Sequence, residues 1–220
     1  MRRASAWLAD GIRRAATARG VCRVALAGGE TPRPVYVALA TTARAIPWDR
    51  VEIFFTDERA VPPDDPQSNY RMVRETLLAS VGLPERQVHR MEAERADLAA
   101  AAHAYEAQLP PRLDVLLLGM GADGHTASLF PGDAALSERE RRVVPVASGA
   151  APSHRLTITP PVVALARRVA VLAAGSEKAE TAARALEGPF SPLEVPVQLA
   201  LAGTWFLDHA AAARLTVPPR

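Results

Sequence analysis

The chain has 220 residues, of which 49% are hydrophobic, 23% charged and 5% aromatic. That composition suits a globular protein with one large core and excludes fibrous and disordered classes. A formal net charge of +2, with no long basic run, argues against nucleic acid as a partner, and a single cysteine, Cys22, excludes a disulfide framework and a cysteine-built metal site.

The opening segment, MRRASAWLADGIRRAATARG, predicts an amphipathic helix over Ala4–Ala18 with Trp7, Leu8 and Ile12 on one side. It has no apolar stretch of the kind a signal peptide carries. No apolar run in the chain is long enough to cross a bilayer, so the expectation is a soluble, cytoplasmic protein with no membrane partner. A strand at Val24–Ala27 follows, then the turn Gly28-Gly29-Glu30-Thr31 and a helix over Pro32–Ala43. The second strand, Glu52–Thr56, ends on Asp57-Glu58-Arg59, and a proline loop at Val61–Pro66 leads to a helix over Ser68–Ser80. A helix over Ala96–Gln108 precedes the third strand, Asp114–Leu118. This strand runs into Gly119-Met120-Gly121-Ala122-Asp123-Gly124-His125 and a short helix predicted for Gly124–Phe130. Strands at Val143–Val146 and Leu156–Thr159, a helix over Pro160–Ala166 and a strand at Val169–Ala173 come next. The chain closes with Gly175-Ser176-Glu177-Lys178, a helix over Glu177–Leu186, a proline loop at Gly188–Pro196 and a helix over Leu207–Leu215.

Strands alternating with helices predict an α/β fold of the Rossmann-like kind: an open, mostly parallel sheet with helices on both faces. Nothing marks a domain boundary, so residues 1–220 read as one domain. In such sheets ligands bind outside the carboxyl ends of the strands, and four strand ends here carry glycines or charges.

The turn after the first strand offers backbone N–H groups and a helix start to an anion, with Thr31 adding a hydroxyl; taken alone it also reads as a tight βα turn. Gly119 to Gly124 match the dinucleotide fingerprint GxGxxG. Asp123 inside that loop would repel a pyrophosphate, and the strand lies mid-chain rather than opening a nucleotide-binding half. Asp123-Gly124-His125 suits proton chemistry better, since a carboxylate beside a histidine fixes its tautomer and stabilises the imidazolium. Asp57-Glu58-Arg59 reads either as a solvated surface ion pair or, from its place at a strand's carboxyl end, as Asp57 and Arg59 facing a ligand, and Asn69 and Tyr70 either cover that site or start a helix. His89, His103, His154 and His209 form no metal-ligand spacing. The 26 basic residues are 25 arginines and one lysine, Lys178. A lysine surviving so strong a preference for arginine suits a position that needs a compact ammonium.

Taken in order, AGGETP, FFTDERAVPPDDPQSNY, LLLGMGADGHTASLFPG, RLTIT and GSEKAE resemble the 6-phosphogluconolactonases over nearly the whole chain. Glucosamine-6-phosphate deaminases and isomerases share the GG-x-TP turn and the DGH triplet. They continue toward Asn-Glu-Pro, whereas this chain continues Ala127-Ser128-Leu129-Phe130-Pro131-Gly132, as the lactonases do. The resemblance implies hydrolysis of 6-phospho-D-glucono-1,5-lactone to 6-phospho-D-gluconate in the oxidative pentose phosphate pathway. It implies no cofactor, no metal, a small sugar-phosphate as partner, and a monomer or weak homodimer. By the same resemblance His125 is the general base, Arg59 contacts the sugar or the developing oxyanion, and Asp57 and Asp123 line the site. Gly28, Gly29, Thr31, Arg155 and Lys178 hold the phosphate. The chain departs from the pattern at Ala27, where relatives often carry Ser.

Overall fold

The computed structural model describes residues 1–42, 45–149 and 151–216. Five parallel strands form the central sheet: β1 (Cys22–Leu26), β2 (Val51–Phe55), β4 (Val115–Gly119), β7 (Val169–Ala173) and β8 (Thr204–Leu207), in the order β2-β1-β4-β7-β8. The continuous apolar runs of β1, β4 and β7 are buried on both sides, as such strands must be. On one face Val24, Leu26, Ile53, Phe55, Val115, Leu117 and Leu172 pack against α1 (Arg2–Arg19), α2 (Arg33–Thr41) and the helix that begins at α3 (Asn69–Val73). On the other face Ala25, Phe54, Leu116, Leu118 and Val171 pack against α5 (Leu98–Gln108), α6 (Pro160–Leu165) and α7 (Ala179–Glu187). Successive strand residues thus alternate between two cores, the period of two that a pleated strand imposes.

The expected mostly parallel sheet with helices on both faces is present, and a second sheet accompanies it. β3 (Asp57–Arg59), β5 (Val143–Ala147) and β6 (His154–Ile158) form a three-stranded antiparallel sheet in the order β3-β6-β5. The chain passes from one sheet to the other at Thr56, whose N–H donates to Leu26 O in the first (3.1 Å) and whose carbonyl accepts from Ile158 N in the second (2.9 Å). Asp57-Glu58-Arg59, expected as the charged end of the second strand, is therefore a strand of the other sheet.

Two predicted helices are absent. Residues 124–130 form a tight turn: Gly124 and Ala127 have φ of 93° and 49°, both outside the helical region, and Thr126 Oγ1 donates to Gly119 O at 2.8 Å instead of facing solvent. Leu207–Leu215 fails as a helix because Leu207 ends strand β8 and residues 209–214 run in turns. Asp208 supports those turns by accepting from the backbone N–H groups of Ala211 and Gly175. The helix expected over Ser68–Ser80 is present with Ser68 as its N-cap, but α3 passes through a π-helical turn at Arg74–Leu78 before α4 (Ala79–Val81). The end of the helix expected over Pro32–Ala43 falls on residue 43, outside the described residues. Among the described residues no helix is long and apolar enough to cross a membrane.

Candidate active site

A cavity of about 300 Å³ opens at the carboxyl edge of the central sheet, where the second sheet folds over it. Gly28, Gly29, Thr31, Asp57, Arg59, His125, Arg155 and Lys178 all line it. Asp123 is not among the lining residues; it contacts the His125 ring at Nδ1. Met120, Ala127, Glu30, Glu177 and Asn69 are also in its wall.

The His125 end is built by one loop. Asp123 Oδ1 lies 2.6 Å from His125 Nδ1 and also accepts the His125 backbone N–H at 3.1 Å. That hydrogen bond, ahead of the opposing effect of burial, lowers the Asp123 carboxyl to about 2. Gly121 makes the arrangement possible: a β-carbon there would overlap both the His125 ring and the Asp123 carboxylate. Its N–H donates to His125 O at 2.8 Å. The glycine spacing that resembles a dinucleotide fingerprint thus serves to fold an Asp–His pair back over its own loop. Phe130 packs against the imidazole with ring centroids 4.9 Å apart. This contact was hidden in the sequence because a helix over 124–130 points Phe130 elsewhere.

The same cavity carries cations. Arg59 and Arg155 are direct cross-strand partners. Arg155 is the second residue of β6, and because β6 runs antiparallel to β3 its start lies beside the end of β3, at the cavity. Among the described residues neither guanidinium is ion-paired. Arg59 donates to Gln67 O at 2.6 Å, the Arg155 guanidinium lies 5.5 Å from the Phe130 ring centre, and the Nε of each is buried without a partner. Burial, and next the charge of Arg59, lowers Arg155 below the usual arginine range. Like charges directly opposite on a sheet are destabilising, a cost that a bound anion removes. Lys178 reaches the same cavity from the turn between β7 and α7. Two guanidiniums, an ammonium and the Gly28–Thr31 turn are donors suited to a multiply charged oxyanion.

β3 alternation places Asp57 and Arg59 toward the cavity and Glu58 away from it. Glu58 accepts from Arg59 N, Asn69 N, Tyr70 N and Ser68 Oγ at 2.8–3.0 Å. Its carboxylate thereby ties the start of α3 to β3, and burial raises its pKa. Asn69, seated by this tie, donates through Nδ2 to Asp57 O at 2.9 Å and occupies the space a β-carbon on Gly28 would need. Among the described residues, no group of three or more His, Cys, Asp or Glu side chains is arranged to hold a metal ion.

An α/β fold with an Asp–His pair and two arginines, not ion-paired among the described residues, at a cavity on the carboxyl edge of its sheet suits an enzyme acting on small phosphorylated compounds. Residues 1–207 match the family of glucosamine-6-phosphate isomerases and 6-phosphogluconolactonases, and the chain belongs to that family. It is 39% identical to the 6-phosphogluconolactonase of Mycobacterium tuberculosis over 225 residues, covering 94% of this chain and 91% of that protein. The structure of 6-phosphogluconolactonase from Trypanosoma brucei superposes with a TM-score of 0.83 at 30% identity, covering 98% of this chain and 95% of that one. A monomeric glucosamine-6-phosphate deaminase superposes equally well, with a TM-score of 0.86 over 97% and 94% of the two chains, but at 22% identity. The fold is therefore common to both branches, and sequence places the chain with the lactonases.

Proposed function

We propose that the chain hydrolyses 6-phospho-D-glucono-1,5-lactone to 6-phospho-D-gluconate with His125 as the base. The observation that carries this reading is the Asp123–His125 pair, 2.6 Å apart, with His125 lining the same cavity as Arg59, Arg155 and Lys178.

A δ-lactone is an activated ester, so water is a sufficient nucleophile once a base removes its proton. Asp123 takes the hydrogen bond from Nδ1–H, which leaves Nε2 of His125 free to accept. His125 deprotonates a water; its oxygen bonds to C1, and the carbonyl π electrons move to the exocyclic oxygen. Arg59 stabilises that oxyanion, a contribution of about 3–4 kcal/mol for a well-placed donor. The tetrahedral intermediate then collapses, the bond from C1 to the ring oxygen breaks, and the imidazolium returns its proton to the departing ring oxygen. The released carboxylic acid ionises in solution.

Gly28, Gly29, Thr31, Arg155 and Lys178 hold the 6-phosphate, so binding energy far from C1 orients the reacting carbonyl. Residues 1–220 act as one domain, because both sheets contribute to the one cavity. The protein works in the cytoplasm as a monomer or weak homodimer.

The test is hydrolysis of the phosphorylated lactone measured above its spontaneous rate, with ammonia release from glucosamine-6-phosphate measured alongside. Accelerated hydrolysis without ammonia is the expected result. Ammonia release without lactone hydrolysis would assign the chain to the deaminase reaction instead.

A further inference from the structure

The turn that separates His125 from Phe130 is held from outside its own loop. Ala127 has a φ of 49°, the only positive φ at a non-glycine residue among those described. A residue with a β-carbon resists that conformation, so neighbouring groups must hold it there. Within the loop, Thr126 Oγ1 donates to Gly119 O at 2.8 Å and Leu129 N donates to Thr126 O at 2.9 Å. The remaining ties come from the second sheet. Ser128 N donates to Thr157 Oγ1 at 3.1 Å, and Ser128 Oγ donates to Asp57 Oδ2 at 2.7 Å. Asp57 and Thr157 are cross-strand partners on β3 and β6, so they grip the turn as one unit.

This grip is fully inside the protein. Ser128 is 0% exposed and Asp57 5%. The other Asp57 oxygen, Oδ1, accepts from Thr56 Oγ1 at 3.1 Å. Each carboxylate oxygen thus already has a hydroxyl donor. An acceptor so engaged is suited to holding a turn, and poorly suited to taking a proton from substrate or water.

We infer that Ser128 and Asp57 are a positioning pair, whose buried hydrogen bond sets the 126–129 turn and through it the orientation of His125 toward the cavity. Asp57 acts as an acceptor for Ser128 and transfers no proton. The inference rests on His125 being the base.

The test compares kcat and KM for the phosphorylated lactone, and Kd for 6-phosphogluconate, in Ser128→Ala, Asp57→Ala, Asp57→Asn and the Ser128→Ala/Asp57→Ala double variant. Ser128→Ala should lower kcat about 10- to 100-fold, the scale of a small misplacement of a reacting group, with KM and Kd within about threefold of wild type on the same grounds. The double variant should lose no more than Asp57→Ala alone, because the two residues act as one unit. Asp57→Asn, which keeps an acceptor for Ser128, should retain kcat within about tenfold of wild type.

Wild-type kcat in Ser128→Ala, multiplicative losses in the double variant, or an Asp57→Asn enzyme as inactive as His125→Ala would each overturn the inference. If Ser128→Ala gives no cooperative melt, Ser128→Cys replaces it: the near-isosteric thiol is a weak donor, and wild-type kcat in that variant overturns the inference equally. His125→Ala, measured in parallel, separates the two readings. An active His125→Ala enzyme removes the base itself, whereas an inactive one beside an undiminished Ser128→Ala enzyme removes the positioning pair alone.

Discussion

Gly121 and Asp123 together determine what His125 can do. Because a β-carbon on Gly121 would overlap the imidazole and the Asp123 carboxylate, Gly121→Ala should push the pair out of line and lower kcat about 100-fold while the protein still melts cooperatively. Steady-state kinetics beside a thermal melt checks this, and unchanged kcat would contradict it. The Asp123 carboxyl is lowered from 3.8 to about 2, chiefly by its hydrogen bond to His125. A depressed carboxyl favours the folded state above its ordinary value, and that benefit is lost as pH falls from 3.8 through about 2. A pH–rate profile above pH 4 should therefore show no limb from Asp123. Asp123→Asn should cost about 100-fold or more in kcat through the lost tautomer control; a rate within twofold of wild type would contradict that role.

At the phosphate end, Lys178→Ala and Arg155→Ala should raise KM for the phosphorylated lactone at least about tenfold, the loss of one charge-assisted contact. They should change the rate on unphosphorylated gluconolactone much less; equal losses on both substrates would contradict phosphate binding. The Asp123–His125 pair was legible in the sequence because its members are two residues apart and the contact is local. The pairing of Arg59 with Arg155 was not, because it depends on β6 running antiparallel to β3, which no local pattern encodes.

Among the elements, β3 and the start of α3 do most to shape the cavity. The DER triplet read as a charged strand end, and the structure sorts its charges by strand alternation: Asp57 and Arg59 toward the cavity, Glu58 into the protein. Glu58→Ala would leave the N–H groups of Asn69 and Tyr70 and the Ser68 hydroxyl without their acceptor. Unsatisfied buried groups of this kind cost about 1–3 kcal/mol each. Differential scanning calorimetry should therefore show a Tm lower by at least about 6 °C; an unchanged Tm would show that another acceptor takes these donors. Helix starts were well marked in the sequence where a side chain caps them, as Ser68 does for α3 and Asp97 for α5. The 124–130 segment was misread because Asp123 looks like the cap of a short helix, whereas the positive φ at Gly124 and Ala127 and the ties to the second sheet are tertiary. Strand β8 went unread because its TWFL segment is short and flanked by alanine-rich sequence that mimics a helix.

For the whole molecule, a net charge of +2 conceals a cavity that holds two arginines not ion-paired among the described residues. Bulk charge argued against nucleic acid as a partner and was silent on these local groups, because it averages over the surface. The alternation of strands and helices made the central sheet legible; the antiparallel sheet over its edge was not, since β5 and β6 resemble further parallel strands until their pairing is known. Fold alone leaves lactonase and deaminase unresolved, so the reaction depends on the residues around His125. The most direct measurement is kcat of the His125→Ala variant on the phosphorylated lactone, corrected for spontaneous hydrolysis, with 6-phosphogluconate affinity measured on the same sample. The account predicts kcat lower by at least about 100-fold, the contribution of a positioned general base, with affinity retained. Turnover near that of wild type would contradict it.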